Sequence, residues 1–422
     1  MASVTRAVPR EARRARIAVG ALFFCNAVIY ANVVPRFPEV KAALDLSNSA
    51  LGVAIAAGPV GALVAGTVMA HLVRRFGSAR VGVISTAVMA VNLVFVGFSS
   101  SWLMLAAALM VAGMCDAISD IAINAHGLRV QRLYGRSILN SFHGIWSIGA
   151  VLGGLMGAAA AGLRIPLPVH LSVVGAAMVV VALLSYRLLL TGSDAEARAE
   201  ARRVAGAPAP GARSRASAVG LLVALGAIGA LGFAMEDAGA SWSAVYLSGS
   251  LGAAPLVAGL GFVSLQAFQT LGRLTGDAFV NRFGDRAVAI TGAVLAGGGM
   301  AFALLLPSIP STIVGFGCVG LGIGTLIPAA THAADSLPGL REGVGLTVVS
   351  MITRVGGLAS PPVIGVIADA TTLRIALFAV PFAAAAVVAL SFALKSRSGG
   401  NPAEGTPGDQ PGATPLVQRA PA

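Results

Sequence analysis

The sequence predicts an all-α membrane protein in which twelve transmembrane helices form two pseudo-symmetric six-helix bundles. Hydrophobic residues make up 56% of its 422 positions and charged residues only 11%, whereas soluble domains carry about 25% charged residues. Apolar runs of about 20 residues, long enough to cross the hydrocarbon core of a bilayer, recur along the chain. A short basic motif also repeats between Arg75 and Arg282, 207 positions apart.

Twelve apolar runs can be placed, six on each side of a polar stretch. Hydropathy puts them at 17–37, 49–70, 79–99, 102–124, 138–162, 167–189, 217–247, 254–276, 287–306, 310–333, 343–368 and 373–394. The first run is too long for a cleaved signal peptide. The predicted units are a basic arm (1–16), an N-terminal bundle (17–190), a linker (191–216), a C-terminal bundle (217–397) and a tail (398–422). We expect a flexible linker and a disordered, Gly/Pro-rich tail.

The distribution of basic residues orients the spans. With the N-terminus inside, 24 of the 29 Lys and Arg residues fall in the arm, the linker, the tail or loops on the same side. Only Arg36, Lys41, Arg164 and Arg374 fall on the opposite side, and Arg354 falls within a span. Loops rich in Lys and Arg stay on the cytoplasmic side, so we expect both termini to be cytoplasmic and the protein to lie in the inner (plasma) membrane.

Composition also argues against several kinds of function. The net charge of +12 comes from arginines between apolar runs, without interleaved aromatic residues, so we expect no nucleic-acid partner. Cys25, Cys115 and Cys318 lie inside apolar runs and predict no disulfide framework. The sequence has no metal-ligand cluster, catalytic triad order or phosphate-binding loop outside a span. We therefore expect no metal, no cofactor and no enzymatic activity, and a monomer in the lipid bilayer.

The repeated motif places matching loops in the two halves. The first loop contains Arg75 and Gly77 after span two, and the second contains Arg282 and Gly284 after span eight. Matching loops in two six-span halves indicate parallel repeats, with a site between them near the bilayer midplane.

The two Arg-Phe-Gly loops resemble motif A of the major facilitator superfamily. The resemblance implies alternating access, with transport and not catalysis as the activity. It also implies a gating or structural role for six residues: Arg75, Gly77, Arg273, Asp277, Arg282 and Gly284. From their spacing, we expect Arg273 and Asp277 to form an ion pair that steadies the second loop.

Three departures from the family pattern bear on these expectations. Arg74 stands where motif A usually has an acid, so the first half lacks the acid on which the motif's usual latch depends. Ala150 replaces the proline of an antiporter motif that otherwise resembles residues 149–154, and span four lacks the arginine typical of proton-driven drug exporters. The last two departures weaken a drug-exporter interpretation.

A further set of motifs resembles a little-characterised bacterial branch of inner-membrane facilitators, loosely akin to fucose-permease-like proteins. Its D-x-x-x-N-A-x-G signature matches residues 120–127, and a G-R to F-H-x-x-W-S-x-G signature matches residues 135–149. Residues 237–243 also fit. The resemblance covers roughly residues 15–395 and is silent on the substrate.

Carboxylates within the spans are the candidates for proton coupling: Asp116, Asp120 and Glu236. Asp116, Asp120 and Asn124 recur every four residues and form one polar stripe on a helix. Charged carboxylates one turn apart repel each other, so we expect at least one of them to exchange a proton near neutral pH. The structural alternative is that Asp120 only bonds Asn124 and backbone at a helix end, and that the acids of span seven reach external water.

Other polar and aromatic side chains in the spans are candidates for binding a substrate. They are Asn26, Tyr30, Asn124, His143, Trp146, Asp237, Trp242, Gln266, Gln269 and Arg354. The alternative for each is a hydrogen bond between helices, and His143 is better explained as a satisfied histidine. Arg354 lies near mid-membrane and is expected to pair with Glu236, Asp237 or Asp116, to pair with an anionic group of the substrate, or to extend its charged end toward the membrane surface.

Together these features predict a secondary transporter of a small, polar solute, coupled to protons and directed toward uptake. Proton-driven efflux of drugs or metabolites is the alternative. A non-transporting sensor or scaffold is disfavoured because the linker and the tail are short and featureless.

Overall fold

A computed structural model describes residues 8–192, 215–335, 337 and 344–394, and within them all regular secondary structure is helical. The α-helices are α1 (Arg10–Val33), α2 (Phe37–Ala43), α3 (Asn48–Gly66), α4 (Met69–Phe76), α5 (Ser78–Gly97), α6 (Trp102–Tyr134), α7 (Leu139–Gly162), α8 (Leu167–Tyr186), α9 (Arg215–Gly249), α10 (Pro255–Phe283), α11 (Asp285–Leu305), α12 (Ile309–Ile323), α13 (Leu326–Asp335), α14 (Val344–Ala370), α15 (Leu373–Ala376) and α16 (Ala379–Leu390). The start of the basic arm, most of the linker and the tail lie outside the described residues.

The helices match the predicted spans one for one. Within the described residues, eleven stretches are long and apolar enough to cross a membrane. The remaining predicted span, the eighth, corresponds to α10, which is 29 residues long. Gln266, Gln269 and Arg273 lower the mean hydropathy of this helix. The all-α fold with twelve spans in two six-helix bundles is therefore confirmed.

Some helices extend beyond the predicted spans. The helix that contains span four (102–124), α6, continues to Tyr134 and ends at Gly135, which has a φ of 63°. Hydropathy falls at the polar stripe, but helix formers continue until a glycine supplies the left-handed cap. Span ten divides near Gly324 into α12 and α13, and span twelve begins with the short helix α15.

Helix packing repeats from one bundle to the other. In the first bundle α1 packs on α7, α3 on α6, and α5 on α8; in the second, α9 packs on α14, α10 on α12, and α11 on α16. Each pair in the second bundle is the counterpart of a pair in the first, six spans later in the chain. The two halves are thus pseudo-symmetric in packing as well as in sequence.

The two Arg-Phe-Gly loops have the same backbone conformation. Gly77 has φ 83° and ψ 152°, and Gly284 has φ 84° and ψ 158°. Such positive φ values are readily adopted only by glycine. The Arg75 guanidinium lies 5.7 Å from the centroid of the Phe76 ring, and the equivalent distance from Arg282 is 5.4 Å. These matching geometries support the structural role predicted for both loops.

The bundles meet along two seams, α3 with α14 and α7 with α10. We call the end where α1 begins the near end and the opposite end the far end; both seams lie toward the far end. A Cβ on Gly52 of α3 would overlap the carbonyl oxygen of Pro361, and a Cβ on Gly259 of α10 would overlap Ala158. Gly52 and Gly259 are 207 positions apart, so the two seams use equivalent positions of the two halves.

The α3–α14 seam carries an additional polar contact. The Asp369 carboxylate at the end of α14 accepts hydrogen bonds from the backbone N–H groups of Asn48 (2.9 Å) and Ser49 (2.8 Å), and from the Asn48 side chain (2.9 Å). The first N–H groups of a helix have no partner inside it. An acid of one bundle therefore caps a helix of the other.

Backbone contact within the first bundle also depends on a glycine. A Cβ on Gly113 of α6 would overlap the carbonyl oxygen of Gly58 on α3. Gly113→Ala is therefore expected to force the two helices apart, at a cost of about 1–3 kcal/mol. The measurement is the unfolding temperature of the protein in detergent. The matched control is Gly298→Ala on α11, where a Cβ would meet no atom within 4 Å. Equal unfolding temperatures for the two variants would contradict the prediction.

Candidate functional site

Polar side chains from both bundles converge halfway along the helices, in a space that we call the central cleft. They are Asn26, Tyr30, Asp116, Asp120 and Trp146 from the first bundle, and Glu236, Asp237, Arg273 and Arg354 from the second. Asp116, Asp120 and Arg354 are exposed to solvent although each lies ten or more residues from either end of its helix, and Tyr30 is exposed three residues before the end of α1. Exposed ionisable groups at this depth are typical of a water-filled cavity.

Electrostatic contacts show that the exposed groups face the other bundle. The Tyr30 hydroxyl lies within electrostatic range of Asp237 and Glu236 on α9, and of Asp116 on α6. Arg354 on α14 acts in turn on Asp116 and Asp120. His143, which is exposed and only four residues into α7, lies on the near-end side of these groups. The cleft is therefore closed by the seams at the far end and opens toward the near end.

Asp116 is held by a chain of two hydrogen bonds. The Asn26 Nδ2 donates to Asp116 Oδ1 at 2.8 Å, and the Trp146 Nε1 donates to Asn26 Oδ1 at 2.8 Å. Asn26 is only 5% exposed, so its amide is fixed between these two partners. The chain joins α1, α6 and α7. The sequence placed all three residues in the site but gave no sign of this connection.

Asp120 lies one turn nearer to the opening of the cleft. Its Oδ1 accepts a hydrogen bond from Asn124 Nδ2 at 2.8 Å, as the structural alternative expected. The second half of that alternative is wrong, because α6 continues beyond Asp120 to Tyr134 and no helix end is present there. The His143 ring lies within electrostatic range of Asp120 and packs edge-on against Phe23 at 5.2 Å between centroids.

Glu236 and Arg273 form an ion pair that the sequence did not predict. Glu236 Oε1 lies 3.8 Å from Arg273 Nη2, which joins α9 to α10. Sequence spacing instead suggested that Arg273 pairs with Asp277, whose side chain lies outside the described residues. Because the two atoms are 3.8 Å apart and Arg273 is 38% exposed, the pair adds little to the stability of the fold. Its main effect is on the orientation of the two side chains.

Asp237 presents a carboxylate oxygen that is not satisfied. Its Oδ1 accepts a hydrogen bond from Ser241 at 3.2 Å, whereas Oδ2 is buried without a hydrogen-bond partner among the described residues. An unsatisfied buried acceptor costs about 1–3 kcal/mol. A proton on this carboxyl group would convert the unpartnered oxygen from a hydrogen-bond acceptor into a donor.

Arg354 has no carboxylate within salt-bridge distance in the part of the chain that the structure describes. Its predicted pairing with Glu236, Asp237 or Asp116 is therefore wrong for this conformation. Asp116 and Asp120 lie within its electrostatic range, on the opposite wall of the cleft. Arg354 belongs to α14 of the second bundle, whereas both acids belong to α6 of the first.

Several predicted substrate-binding residues do not reach the cleft in this conformation. Trp242 is 0% exposed, and Gln266 and Gln269 are 5% and 2% exposed. They pack inside the second bundle. Asn124 is held by Asp120. A role for these four residues in binding a substrate stays a prediction.

Sequence analysis missed a buried polar cluster at the far end of the first bundle. Arg36 is 1% exposed and donates from Nε to Glu39 at 2.8 Å and from Nη2 to the carbonyl of Ile165 at 2.8 Å. Its Nη1 lies 3.2 Å from His170 Nδ1, and His170 Nε2 lies 3.0 Å from Asn32 Oδ1. Hydropathy had placed Arg36 in a loop. These contacts instead fix the end of α1 to the start of α8.

No group of three or more His, Cys, Asp or Glu side chains that could hold a metal ion occurs in the described ranges. The chemistry available in the central cleft is therefore that of carboxylates, guanidinium groups, an imidazole, amides and hydroxyls. Such groups can bind a polar solute and exchange protons with water.

Comparisons with known proteins agree with this geometry. A family model described as Major Facilitator Superfamily matches residues 19–236 and 222–420. A protein named uncharacterized transporter y4wD, from Sinorhizobium fredii, is 29% identical over 377 residues, which cover 89% of this chain and 97% of the relative.

Two solved structures have a similar fold at low sequence identity. The crystal structure of a bacterial homolog to the human lysosomal transporter Spinster, in an inward-facing and occupied conformation, aligns with a TM-score of 0.69 at 14% identity. It covers 90% of this chain and 98% of that chain. A D-xylose–proton symporter aligns with a TM-score of 0.65 at 15% identity, over 90% of this chain and 96% of that chain.

Proposed function

The chain belongs to the Major Facilitator Superfamily, and on this premise we propose that it takes up a small, polar solute across the inner membrane together with protons. Its membership makes it a multi-pass membrane transporter of a small molecule and not an enzyme. The coupling ion, the direction and the class of solute are the parts that we propose. The narrower resemblance to a fucose-permease-like branch stays a prediction.

The observation that carries the proton coupling is the position of Asp116. This carboxylate lies midway along α6, is reached by solvent, and faces a cation of the opposite bundle without an ion pair. Placing an ionisable group at such depth costs free energy, so an ionisable residue within a span is a candidate for a functional role. A carboxylate that can take a proton from the cleft, and lose its attraction for Arg354 when it does so, links proton binding to the relative position of the bundles.

The direction of the opening supports alternating access. With the near end in the cytoplasm, as the basic residues predict, the seams close the external side and the cleft faces inward. The similar Spinster homolog was likewise solved in an inward-facing conformation. Transport then requires a second state in which the seams separate and the near end closes.

The lining of the cleft favours a hydroxylated or cationic solute. Carboxylates from both bundles surround the Tyr30 hydroxyl, and the exposed Asp116 and Asp120 add further hydrogen-bond acceptors. Such acceptors suit hydroxyl or ammonium donors. The D-xylose–proton symporter shares the fold, and its name describes uptake of a sugar with protons, but that concerns the symporter alone.

The experiment that tests this function has two stages. A thermal-shift screen of the purified protein across sugars, amino acids, organic acids and cations identifies a ligand, because a ligand that binds only the folded form raises its apparent stability. Proteoliposomes are then loaded to give a pH gradient of either sign, and uptake of the ligand is measured with and without a protonophore.

The sign of the gradient separates the alternatives, whichever way the protein inserts into the vesicles. Symport gives accumulation when the interior is alkaline, by about tenfold per pH unit for one proton per solute, since a tenfold ratio corresponds to about 1.4 kcal/mol. Accumulation only with an acidic interior would indicate proton-driven efflux and contradict uptake. Flux that depends on neither the pH gradient nor the protonophore would show that transport is not coupled to protons. The absence of any flux would favour a sensor or scaffold.

A further inference from the structure

We infer that Trp146 is a positioning residue for the proton site: its indole N–H orients the Asn26 amide so that Asn26 donates a hydrogen bond to Asp116. The inference rests on the proposed function, because it concerns the carboxylate that we assign to proton coupling. It gives Asn26 and Trp146 a role different from the substrate contact predicted from the sequence.

The argument begins with the chemistry of the two end groups. An indole N–H can only donate a hydrogen bond, whereas an amide has a donor end and an acceptor end of nearly equal shape. Trp146 therefore requires that Asn26 Oδ1 face it, at 2.8 Å. The donor end of Asn26 must then point the opposite way, where it meets Asp116 Oδ1 at 2.8 Å. The orientation of the amide is thus set by Trp146.

This orientation matters because Asp116 has two forms. A donor at 2.8 Å stabilises the ionised carboxylate, whereas an amide oxygen in the same place could bond only to the protonated form. Without the indole N–H, Asn26 is free to turn its oxygen toward Asp116. Trp146 consequently controls how readily Asp116 takes up a proton, although it does not touch Asp116.

The backbone around Trp146 keeps this geometry rigid. A Cβ on Gly149 would lie within 3.0 Å of the carbonyl oxygen of Phe24, and one on Gly153 would press on Val28. These glycines let α7 lie directly against α1, where Asn26 is located. Close helix contact fixes the indole within reach of the amide, and Asn26 itself is 5% exposed.

Other charged groups near Asp116 do not depend on Trp146. Asp120 on the same helix and Arg354 on α14 act on Asp116 directly. Tyr30 on α1 lies near Asp116, His143 on α7 lies near Asp120, and Glu236 and Asp237 on α9 lie near Tyr30. Replacing the indole with a phenyl ring leaves all of these in place. A change in the pH dependence of Trp146→Phe therefore reports the amide orientation.

The test compares Trp146→Phe with the matched control Trp102→Phe. Trp102 also donates an indole hydrogen bond, to the carbonyl of Ala50 at 2.8 Å, but does so at the far end. We expect Trp146→Phe to move the midpoint of the pH profile of uptake upward by about one pH unit, the worth of one hydrogen bond to a charged group. Trp102→Phe should keep the profile of the parent protein. Asn26→Leu, which removes the donor itself, should move the midpoint in the same direction as Trp146→Phe.

A second measurement does not depend on transport. The carbonyl stretch of a protonated carboxyl group, followed by infrared difference spectroscopy of the purified protein, should titrate at higher pH in Trp146→Phe and be absent in Asp116→Asn. An unchanged titration and pH profile in both Trp146→Phe and Asn26→Leu would overturn the inference, even if Asp116 proves essential for coupling. If the parent protein shows no proton-dependent uptake, the proposed function fails, and the infrared titration then decides by itself whether Trp146 sets the orientation of the Asn26 amide.

Discussion

Replacing Asp116 with asparagine is expected to abolish solute accumulation driven by a pH gradient, while exchange of labelled for unlabelled solute continues. Asparagine has nearly the shape of the protonated acid but cannot release a proton. A transporter held in this form can carry solute in both directions, but it cannot return empty after losing its proton. Accumulation of about tenfold per pH unit should therefore fall to equilibration. The measurement is uptake and counterflow in proteoliposomes.

Two control variants make this result specific. Asp45→Asn makes the same chemical change at an exposed residue of the far-end loop, where φ is 48° and asparagine is well tolerated. It should accumulate solute like the parent protein. Asp120→Asn tests the neighbouring acid of the polar stripe. If Asp116→Asn kept full coupling and Asp120→Asn lost it, the proton site would be Asp120, one turn nearer to the opening of the cleft.

Removing the Asp369 carboxylate is expected to shift the protein toward the state in which the far end is open. Asp369→Ala deprives the first two N–H groups of α3 of the acceptors that the second bundle supplies. Losing such a cap costs about 0.5–2 kcal/mol, and 1–2 kcal/mol changes a population ratio roughly 5- to 30-fold. The cost falls only on the closed far end, because the two groups separate when the seams open.

The shift can be measured as a distance between the bundles. Spin labels at Ser100 and Ser250, in the far-end loops of the two bundles, should show a larger fraction of long distances once the three native cysteines are replaced. Thr372→Ala is the matched control, because Thr372 caps α15 within one bundle by accepting from the Ile375 N–H at 3.2 Å. If Asp369→Ala and Thr372→Ala give the same distances, the cap does not act as a latch. Asp369→Asn, which keeps an acceptor oxygen, should lie between Asp369→Ala and the parent protein.

The spans and their pairing into halves could be predicted because lipid imposes a strong constraint. A helix that crosses a bilayer needs a long apolar run, and the repeated Arg-Phe-Gly loops aligned the halves. The carboxylates of α6 and α9 could also be found, because an acid inside a long apolar run is costly to place in lipid and is therefore rare. Hydropathy did not mark the end of α6, because this helix continues ten residues beyond the apolar run that ends at residue 124.

The partners of the polar side chains could not be predicted. Trp146 and Asn26 are 120 positions apart, Asp369 and Asn48 are 321 apart, and Arg36 and His170 are 134 apart. A single sequence carries no signal that joins such positions, because each residue is compatible with many neighbours. Arg354 shows a further limit, because a single sequence does not show which of several acids in the spans lies closest to it.

The two seams have a consequence for the origin of the molecule. Gly52 of α3 and Gly259 of α10 occupy equivalent positions of the two halves. Gly52 contacts α14 and Gly259 contacts α7, and α14 is the counterpart of α7 in the second half. Reciprocal contact of this kind is what an isologous homodimer displays. If a gene duplication joined two identical six-helix chains, the surface that now closes the far end would already have existed as the interface of the homodimer. The Asp369 cap has no mirror image, since Gly162 and Pro255 stand at the equivalent positions. It is therefore a mark of divergence after the fusion.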